Sequence, residues 1–275
     1  MLLHLFEPRS FCLTLCLVDV SDGAQIWGQQ YNRTIDDIFA VQDAISEQIS
    51  TSLRLKLSSD DKSRLVKRHT ENTEAYQLYL KGRFYWNQRT AESLKTALDY
   101  FQQAINRDPT YALAYAGITD CYGLLPIYSD LSEQEAIPKA KEAALQALQI
   151  DEQLVEAHTA LANMYQLYDW DSEASEKGFR RAIELNPNYS TAHHWYAMNL
   201  SGRARSDEAI AEMKRALALD PLSLIINTDL GSVYLDARYY DLAIQQLQKT
   251  IEMDQNFYRA RHYLGAAYIF KGRNF

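Results

Sequence analysis

From about residue 73 to the end of the chain, apolar residues recur three or four positions apart, which predicts a series of amphipathic helices. The clearest two helices lie between residues 190 and 221. Their apolar and small positions are Ala192, Tyr196, Ala197, Leu200, Ala209, Met213 and Ala216. Pro221 follows, and because proline lacks the amide hydrogen that a helix interior needs, it marks the end of the second helix. The pattern predicts a mainly α structure built from pairs of helices.

The first 57 residues follow a different pattern. Residues 11–20 are rich in β-forming side chains, a turn signal occupies residues 21–24, and residues 25–32 form a second extended run, which together predict a β-hairpin. After Thr34, a candidate N-cap, helical spacing predicts a helix over residues 35–57 with Ile38, Val41, Ile45, Ile49 and Leu53 on one face. Two strands and a helix bury too little surface to be stable alone. We therefore expect a partial α/β segment (1–57), a charged linker (58–72) and a helical domain (73–275).

The helical domain carries an internal repeat. An Ala, or Thr at position 250, followed four residues later by Asp or Asn recurs along it, and the Asp or Asn positions 108, 151, 186, 220 and 254 lie 43, 35, 34 and 34 residues apart. A period of about 34 residues built from two helices resembles the tetratricopeptide repeat (TPR). The resemblance implies a right-handed α-solenoid of five full repeats, with units beginning at Val155, Ser190 and Leu224, and a truncated sixth from Tyr258. It also implies that small residues such as Ala209 and Gly231 lie where two helices cross closely.

Composition and charge exclude several function classes. The 275 residues carry a net charge of -8, and no basic cluster exceeds the short stretch at residues 62–68, so direct nucleic-acid binding is not expected. The three cysteines, Cys12, Cys16 and Cys121, form no metal-binding spacing and fit a reducing cytoplasm. The apolar run at residues 11–20 is too short to span a bilayer; a signal peptide is the alternative interpretation of that run. We expect a cytoplasmic protein without membrane contact.

No motif in the sequence indicates catalysis. There is no Gly-rich phosphate loop, no nucleophile elbow and no HExxH sequence. His193 and His194 are adjacent, so they point to different sides of a helix and cannot act as one site; His158 and His193 fall on a packing position. We expect no enzyme activity, no catalytic residue, no metal and no cofactor.

A second resemblance concerns the N-terminal segment. The stretch from Leu17 to Trp27, with Tyr31-Asn32-Arg33 and residues 38–45, resembles the end of the TolB-like α/β domain that precedes TPR repeats in bacterial regulators. In such chains a winged-helix DNA-binding, Ser/Thr kinase or nucleotide-cyclase domain comes before the TolB-like module. The earlier strands of that module are not in this sequence, and unit six stops before its second helix. We therefore expect a fragment of a longer polypeptide, and self-association through its uncapped ends is a further expectation.

The TPR resemblance also implies where a partner binds. In the family the concave groove is lined by set positions of each unit's first helix. Carried onto this chain, the candidate partner-binding residues are Gln77, Lys81, Asp120, Thr159, Asn163, Gln166, His194, Met198, Thr228 and Ser232. Some TPR proteins hold a partner's C-terminal carboxylate with a clamp of Lys, Asn and Arg, but only Asn163 matches that pattern, while Thr159, Trp195, Ile225 and Asp229 do not. The aromatic residue Trp86 is assigned to packing between repeats, with a partner contact as its alternative.

These inferences lead to two function hypotheses. The first is a non-enzymatic scaffold that binds a peptide or helix of a partner protein on the concave TPR face. The alternative is the sensor or regulatory arm of a bacterial signalling protein of the transcriptional-regulator, kinase or adenylate-cyclase type, whose effector domain is absent from this chain.

Overall fold

The computed structural model describes residues 4–7, 10–18, 25–34, 40–41, 44–45, 48 and 69–272. Within residues 69–272 the chain forms eleven α-helices in sequence order: α1 (Thr73–Trp86), α2 (Ala91–Arg107), α3 (Ala112–Tyr128), α4 (Glu133–Ile150), α5 (Val155–Met164), α6 (Ser172–Leu185), α7 (Ser190–Gly202), α8 (Ser206–Leu219), α9 (Leu224–Asp236), α10 (Tyr240–Met253) and α11 (Tyr258–Gly272). A short π-helical segment, Tyr165–Asp169, continues α5. Helices α1–α10 pair into units one to five, and α11 is the first helix of unit six. The predicted mainly α, five-and-a-half-unit architecture is confirmed.

Three antiparallel strands precede the helices: β1 (His4–Glu7), β2 (Ser10–Val18) and β3 (Gln25–Thr34), in the order β1-β2-β3. Strands β2 and β3 pair with Leu13 opposite Tyr31 and Cys16 opposite Gly28, as the predicted hairpin requires. Its turn, residues 21–24, lies outside the described residues. Strand β1 was not predicted, because four residues are too few to show an alternating pattern.

The predicted helix at 35–57 falls mostly outside the described residues. Those that are described within it, at positions 40, 41, 44, 45 and 48, are helical. Val41 is buried together with Tyr31 of β3, and the Tyr31 hydroxyl donates a hydrogen bond to Gln48 Oε1 at 2.9 Å. The basic stretch at 62–68 and most of the predicted linker also lie outside the described residues, so the two boundaries between the three predicted segments stay predictions.

The Asp or Asn that repeats along the sequence has a specific structural role. Each one is the C-cap of a second helix, with its backbone NH bonded to the carbonyl of the Ala or Thr four residues before it. At four of these caps the side-chain Oδ1 then accepts a hydrogen bond from the backbone NH two residues later, at positions 108, 151, 186 and 254. This is the Asx-turn geometry that Asp and Asn favour. The signature is therefore a helix stop and a turn in one residue.

Small residues let the helices cross closely, as predicted. A Cβ atom added to Gly231 of α9 would lie 2.5 Å from Leu247 Cγ of α10. Near the start of the solenoid, Gly82 of α1 and Gly117 of α3 both face the ring of Phe101 on α2, and a Cβ on either would come within 2.7 Å of that ring. One buried phenyl ring thus fills the space that two glycines leave on successive first helices.

The turn inside most units contains one residue in the left-handed conformation. These residues are Arg89, Trp170, Ala204 and Arg238, with φ between 54° and 64°. All four occupy the same place, two residues before the second helix of their unit begins. The left-handed residue reverses the chain so that the second helix can pack on the first.

Successive first helices contact one another, so α1, α3, α5, α7, α9 and α11 form a continuous layer. We call the surface of this layer the inner face. Trp195 of α7 packs against both the core cluster that begins in unit one and the core cluster that ends in unit six. Arg259 Nη1 of α11 donates a hydrogen bond to the Tyr128 hydroxyl of α3 at 3.3 Å, although the two residues are 131 positions apart. Units two and six therefore meet across the inner face.

Candidate ligand-binding site on the inner face

The ten predicted partner-binding residues differ widely in exposure. Five are buried: Thr159, Asn163, His194, Thr228 and Ser232. Gln77, Asp120, Gln166 and Met198 are half-buried, and Lys81 is exposed. The hydroxyl groups of Thr159 and Thr228 donate to carbonyls one turn earlier in their own helices, at 2.8 and 2.7 Å. Such bonds satisfy a buried hydroxyl without a ligand. Partner binding by this set stays a prediction.

Two amide side chains of the predicted set have no partner for their oxygen. Asn163 Oδ1 and Gln166 Oε1 are buried and accept no hydrogen bond from the described residues. They lie near the end of α5, where the π-helical segment begins. Buried acceptors usually accept a hydrogen bond. These two oxygens therefore mark a polar site on the inner face whose hydrogen-bonding capacity the described residues do not satisfy.

Asp120 and Arg83 form an ion pair between the first helices of units two and one. Arg83 Nη1 lies 3.0 Å from Asp120 Oδ2, and the guanidinium also stacks on the Trp86 ring at 4.2 Å from its centroid. Burial raises the pKa of the Asp120 carboxyl despite the opposing charges of Arg83 and Arg89. The carboxyl group of Asp120, a predicted groove residue, is therefore already paired within the fold, and its side-chain donor is Arg83.

His194, Asp229 and Arg259 form a second charged group, which joins units four, five and six. Asp229 is 2% exposed and accepts hydrogen bonds from His194 Nε2 at 2.8 Å and from Arg259 Nη2 at 2.9 Å. Burial alone raises the pKa of Asp229, but the hydrogen bonds and charges of His194 and Arg259 outweigh it and hold the pKa below its ordinary value. Asp229 is therefore ionised, and because a carboxylate can only accept, His194 Nε2 carries the proton.

A cavity of about 400 Å³ opens between these groups. Its wall comes from the first helices, or the turn or segment after them, of all six units: Arg89, Leu124, Ile127, Tyr128, Leu167, Trp195, Ile225, Asp229, Tyr258, Arg259, His262 and Tyr263. Most of the lining is aliphatic or aromatic, with a few charged groups among it. That combination is typical of ligand pockets. Ile127 and Tyr258 remain largely exposed at 61% and 66%, so the cavity is open to solvent on their side.

Arg89 is the least satisfied charge in the cavity wall. Its guanidinium carbon lies 3.7 Å from the centre of the Trp86 ring and 5.9 Å from that of Trp195. Arg89 Nε is buried without a hydrogen-bond partner, and among the described residues no carboxylate lies within ion-pair distance of the guanidinium. Burial lowers its pKa to about 10. The group is still protonated at neutral pH, and the negative charges of Asp120 and Asp229 favour its charged form from beyond ion-pair distance, so the wall holds a positive charge without a direct partner.

The sequence reasoning missed most of this site. In the sequence, Trp195, Ile225 and Asp229 were considered only as residues that do not match a carboxylate clamp. Arg89 and Arg259 were not considered. Trp86, considered as a partner contact, is 4% exposed and packs between Arg83 and Arg89 instead. The available signal was the pairing of Trp86 with arginines three positions away on either side, which is the spacing for aromatic–guanidinium stacking around a helix end.

The described residues give no sign of metal chemistry. Among them, no cluster of three or more His, Cys, Asp or Glu side chains is placed to hold a metal ion. His193, predicted to be structural, is buried, donates from Nε2 to the Pro187 carbonyl at 2.9 Å and pairs with Glu212, whose hydrogen bond raises the pKa of the imidazole. None of the described helices has the length and apolar character needed to cross a bilayer.

Comparison with solved structures supports the fold. A thermophilic TPR protein from Thermus thermophilus superposes with a TM-score of 0.59 over 71% of this chain and 99% of its own, at 18% identity. The helical domain therefore has the TPR solenoid fold. No protein-family model matches the chain.

Two curated relatives share part of the sequence. The putative adenylate cyclase 3 of Rhizobium meliloti strain 1021 is 32% identical over 103 residues, which is 38% of this chain. The transcriptional regulator HilA of Salmonella typhimurium is 27% identical over 148 residues, which is 54% of this chain. The chain spans 18% of the length of the first relative and 27% of the second.

Proposed function

We propose that this chain is a non-enzymatic scaffold that binds an extended or helical segment of a partner protein on its inner face. The observation that carries the proposal is the cavity to which all six units contribute. A solenoid offers its extended curved surface for binding, and here that surface contains an apolar pocket with a small number of charged groups. Arg89, one of these charged groups, forms no ion pair with another repeat among the described residues.

The exposed and half-buried residues of the predicted groove extend this surface beyond the cavity. Lys81 lies on α1, Gln166 in the π-helical segment and Met198 on α7. Met198 packs partly against the core cluster that ends in unit six and keeps part of its flexible side chain accessible. The buried members, such as His194 and Thr228, support the shape of the face rather than its outer surface.

The test is a selection from a displayed library of random linear peptides on the immobilised 275-residue chain, followed by affinity measurements with synthetic copies of the selected peptides. The key variant is Ile127→Ser, which removes an exposed apolar side chain from the cavity wall. The matched control is Leu222→Ser, which changes an equally aliphatic side chain, 80% exposed, outside the cavity.

We expect Ile127→Ser to weaken peptide binding by about tenfold, since one buried aliphatic side chain contributes roughly 1.5–3 kcal/mol. Leu222→Ser should leave affinity unchanged. Failure to select any peptide, or equal affinities for all three proteins, would count against binding in the cavity.

A second function is favoured by the names of the relatives. We infer as an alternative that the solenoid is the regulatory arm of a signalling protein of the transcriptional-regulator or adenylate-cyclase type, in which partner binding on the inner face controls a separate effector domain. The partial similarity to two proteins with those names supports this interpretation. The TolB-like character of the N-terminal strands remains a prediction within it.

Determining the full transcript that contains the codon for Met1 tests this alternative. An in-frame cyclase or winged-helix domain would support the regulatory arm, whereas a transcript that encodes the solenoid alone would contradict it.

A further inference from the structure

We propose that the cavity selects a partner segment in which an Asp or Glu side chain lies beside an apolar side chain, and that Arg89 is the residue that pairs with the carboxylate. This inference rests on the proposed function, because it names the chemistry of the segment that the inner face would bind. The guanidinium of Arg89 lies in the cavity wall and has no ion-pair partner among the described residues.

The charges around the cavity favour an anion. Arg259 is already committed to Asp229 and Tyr128, and Arg83 to Asp120. Arg89 has no such partner among the described residues, and its neighbours are the rings of Trp86 and Trp195. Of the carboxyl groups around this face, Asp120 pairs with Arg83 and Asp229 with Arg259, and within the described residues neither forms an ion pair with Arg89. A ligand carboxylate would balance the remaining positive charge.

The inward position of Arg89 is not dictated by the backbone. Arg238 lies at the same place in unit five, with the same left-handed conformation (φ 64° against 54°), and its side chain is exposed to solvent. What differs is the surroundings: the guanidinium of Arg89 lies over two tryptophan rings. Stacking on an aromatic face leaves the N–H edge of a guanidinium free to bind a carboxylate, often through two parallel hydrogen bonds.

The apolar residues of the cavity wall explain why the partner segment also needs an apolar side chain. Ile127, Leu167, Trp195 and Ile225 line the same cavity as Arg89. A volume of about 400 Å³ accommodates more than one side chain. An acidic residue alone would leave this apolar surface in contact with water, whereas an acidic residue with an aliphatic or aromatic neighbour would cover it. Free phosphate or nucleic acid would satisfy the charge but not the apolar wall.

The experiment uses the full chain and the peptides obtained from the displayed library, each synthesised in two forms: the acidic sequence, and a copy in which Asp or Glu is replaced by Asn or Gln. Affinities are measured by fluorescence anisotropy for the wild-type chain and for Arg89→Gln, Arg89→Lys and Arg238→Gln. Circular dichroism establishes that each variant is folded. Arg238→Gln is the matched control, since it removes the same side chain from the same backbone conformation outside the cavity.

The inference expects acidic residues to be enriched among the selected peptides. Arg89→Gln should weaken binding of the acidic form by about tenfold or more, as a charged hydrogen bond is worth roughly 1.5–3 kcal/mol, and should leave binding of the amide form unchanged. Arg89→Lys should have an intermediate effect because it keeps the charge but loses the planar fork. Arg238→Gln should behave as wild type.

Two results would overturn the inference, and they are distinguishable. If Ile127→Ser weakens binding but Arg89→Gln does not discriminate between the acidic and amide forms, the proposed function stands and the role of Arg89 is wrong. If no peptide is selected, or if Ile127→Ser has no effect, both proposals fail together.

Discussion

Asp120 and Asp229 both lie on first helices, both pair with an arginine, and yet their pKa values move in opposite directions. Asp120, between units one and two, receives a hydrogen bond from Arg83 alone, and burial raises its pKa. Asp229, between units four, five and six, receives hydrogen bonds from both His194 and Arg259, and its pKa is lowered. Asp229 is also the more deeply buried of the two, with a side chain 2% exposed against 16%.

The difference shows that burial does not decide the state of a carboxylate by itself. Two donors compensate the loss of hydration at Asp229, whereas one donor does not do so at Asp120. The hydrogen-bonded group of His194, Asp229 and Arg259 therefore acts as a structural joint that connects units four, five and six. Asp120 instead forms a single ion pair with Arg83, close to the unpaired Arg89.

The largest expected effect is that of Asp229→Ala. It would leave the positive charge of Arg259 and the N–H of His194 without their acceptor, and breaking a buried pair from one side costs about 3–5 kcal/mol. Urea denaturation followed by circular dichroism measures the change. A loss of stability below about 1 kcal/mol would show that the joint between units four and six is not structural.

Asp120→Ala should cost less, about 1–2 kcal/mol of unfolding free energy. The pair with Arg83 is partly exposed to solvent, so its contribution should fall between those of surface and fully buried ion pairs. The same denaturation experiment measures it. A loss as large as that of Asp229→Ala would remove the distinction between the two regions.

The smallest expected effect is a difference in pH dependence. The lowered pKa of Asp229 means that its contribution is present above the ordinary value of 3.8 and is lost as the pH falls through the folded-state pKa. The raised pKa of Asp120 has the opposite sign: the folded state binds the proton more tightly, so acidification from neutral pH towards 3.8 favours folding through this group.

Asp229→Asn and Asp120→Asn separate these contributions, because titration of groups that do not contact the replaced carboxyl largely cancels when a variant is compared with wild type. Between about pH 7 and about pH 4 wild type should gain stability relative to Asp120→Asn, whereas the contribution of the Asp229 carboxylate itself should be lost only below its ordinary value of 3.8. Parallel curves for both variants would contradict the assigned pKa directions.

Local signals in the sequence were sufficient for the helical units. Helices begin at Val155, Ser190, Leu224 and Tyr258, where the repeat places the unit starts, and Asn72 caps α1 through its bond from the Ala75 backbone NH at 3.0 Å. The spacing of apolar residues, the small residues at helix crossings and the Asp or Asn that ends each second helix all recur within a unit of about 34 residues. They can therefore be recognised in one sequence. The π-helical segment after α5 was not predicted, because the 35-residue spacing between positions 151 and 186 indicates one extra residue but not its conformation.

The cavity depends on relations that no such pattern contains. Arg89, Trp195 and Arg259 belong to units one, four and six, and their approach results from the accumulated rotation of successive units. Thr159, His194 and Thr228 are buried, although the repeat pattern placed them on the groove surface. Their partner-binding role therefore remains a prediction, and the more accessible Lys81, Gln166 and Met198 are better placed for it.

The hydrogen bond between Tyr128 and Arg259 has a consequence for folding kinetics and cooperativity. In a strictly linear array each unit stabilises only its neighbours, so the end unit can fray without disturbing the rest. A contact between residues 131 positions apart raises the contact order, and a link of that span forms late because a long loop must close first. Hydrogen exchange in α11 should accordingly be coupled to opening of α3, and the solenoid should lose its last helix less readily than a linear chain of repeats would.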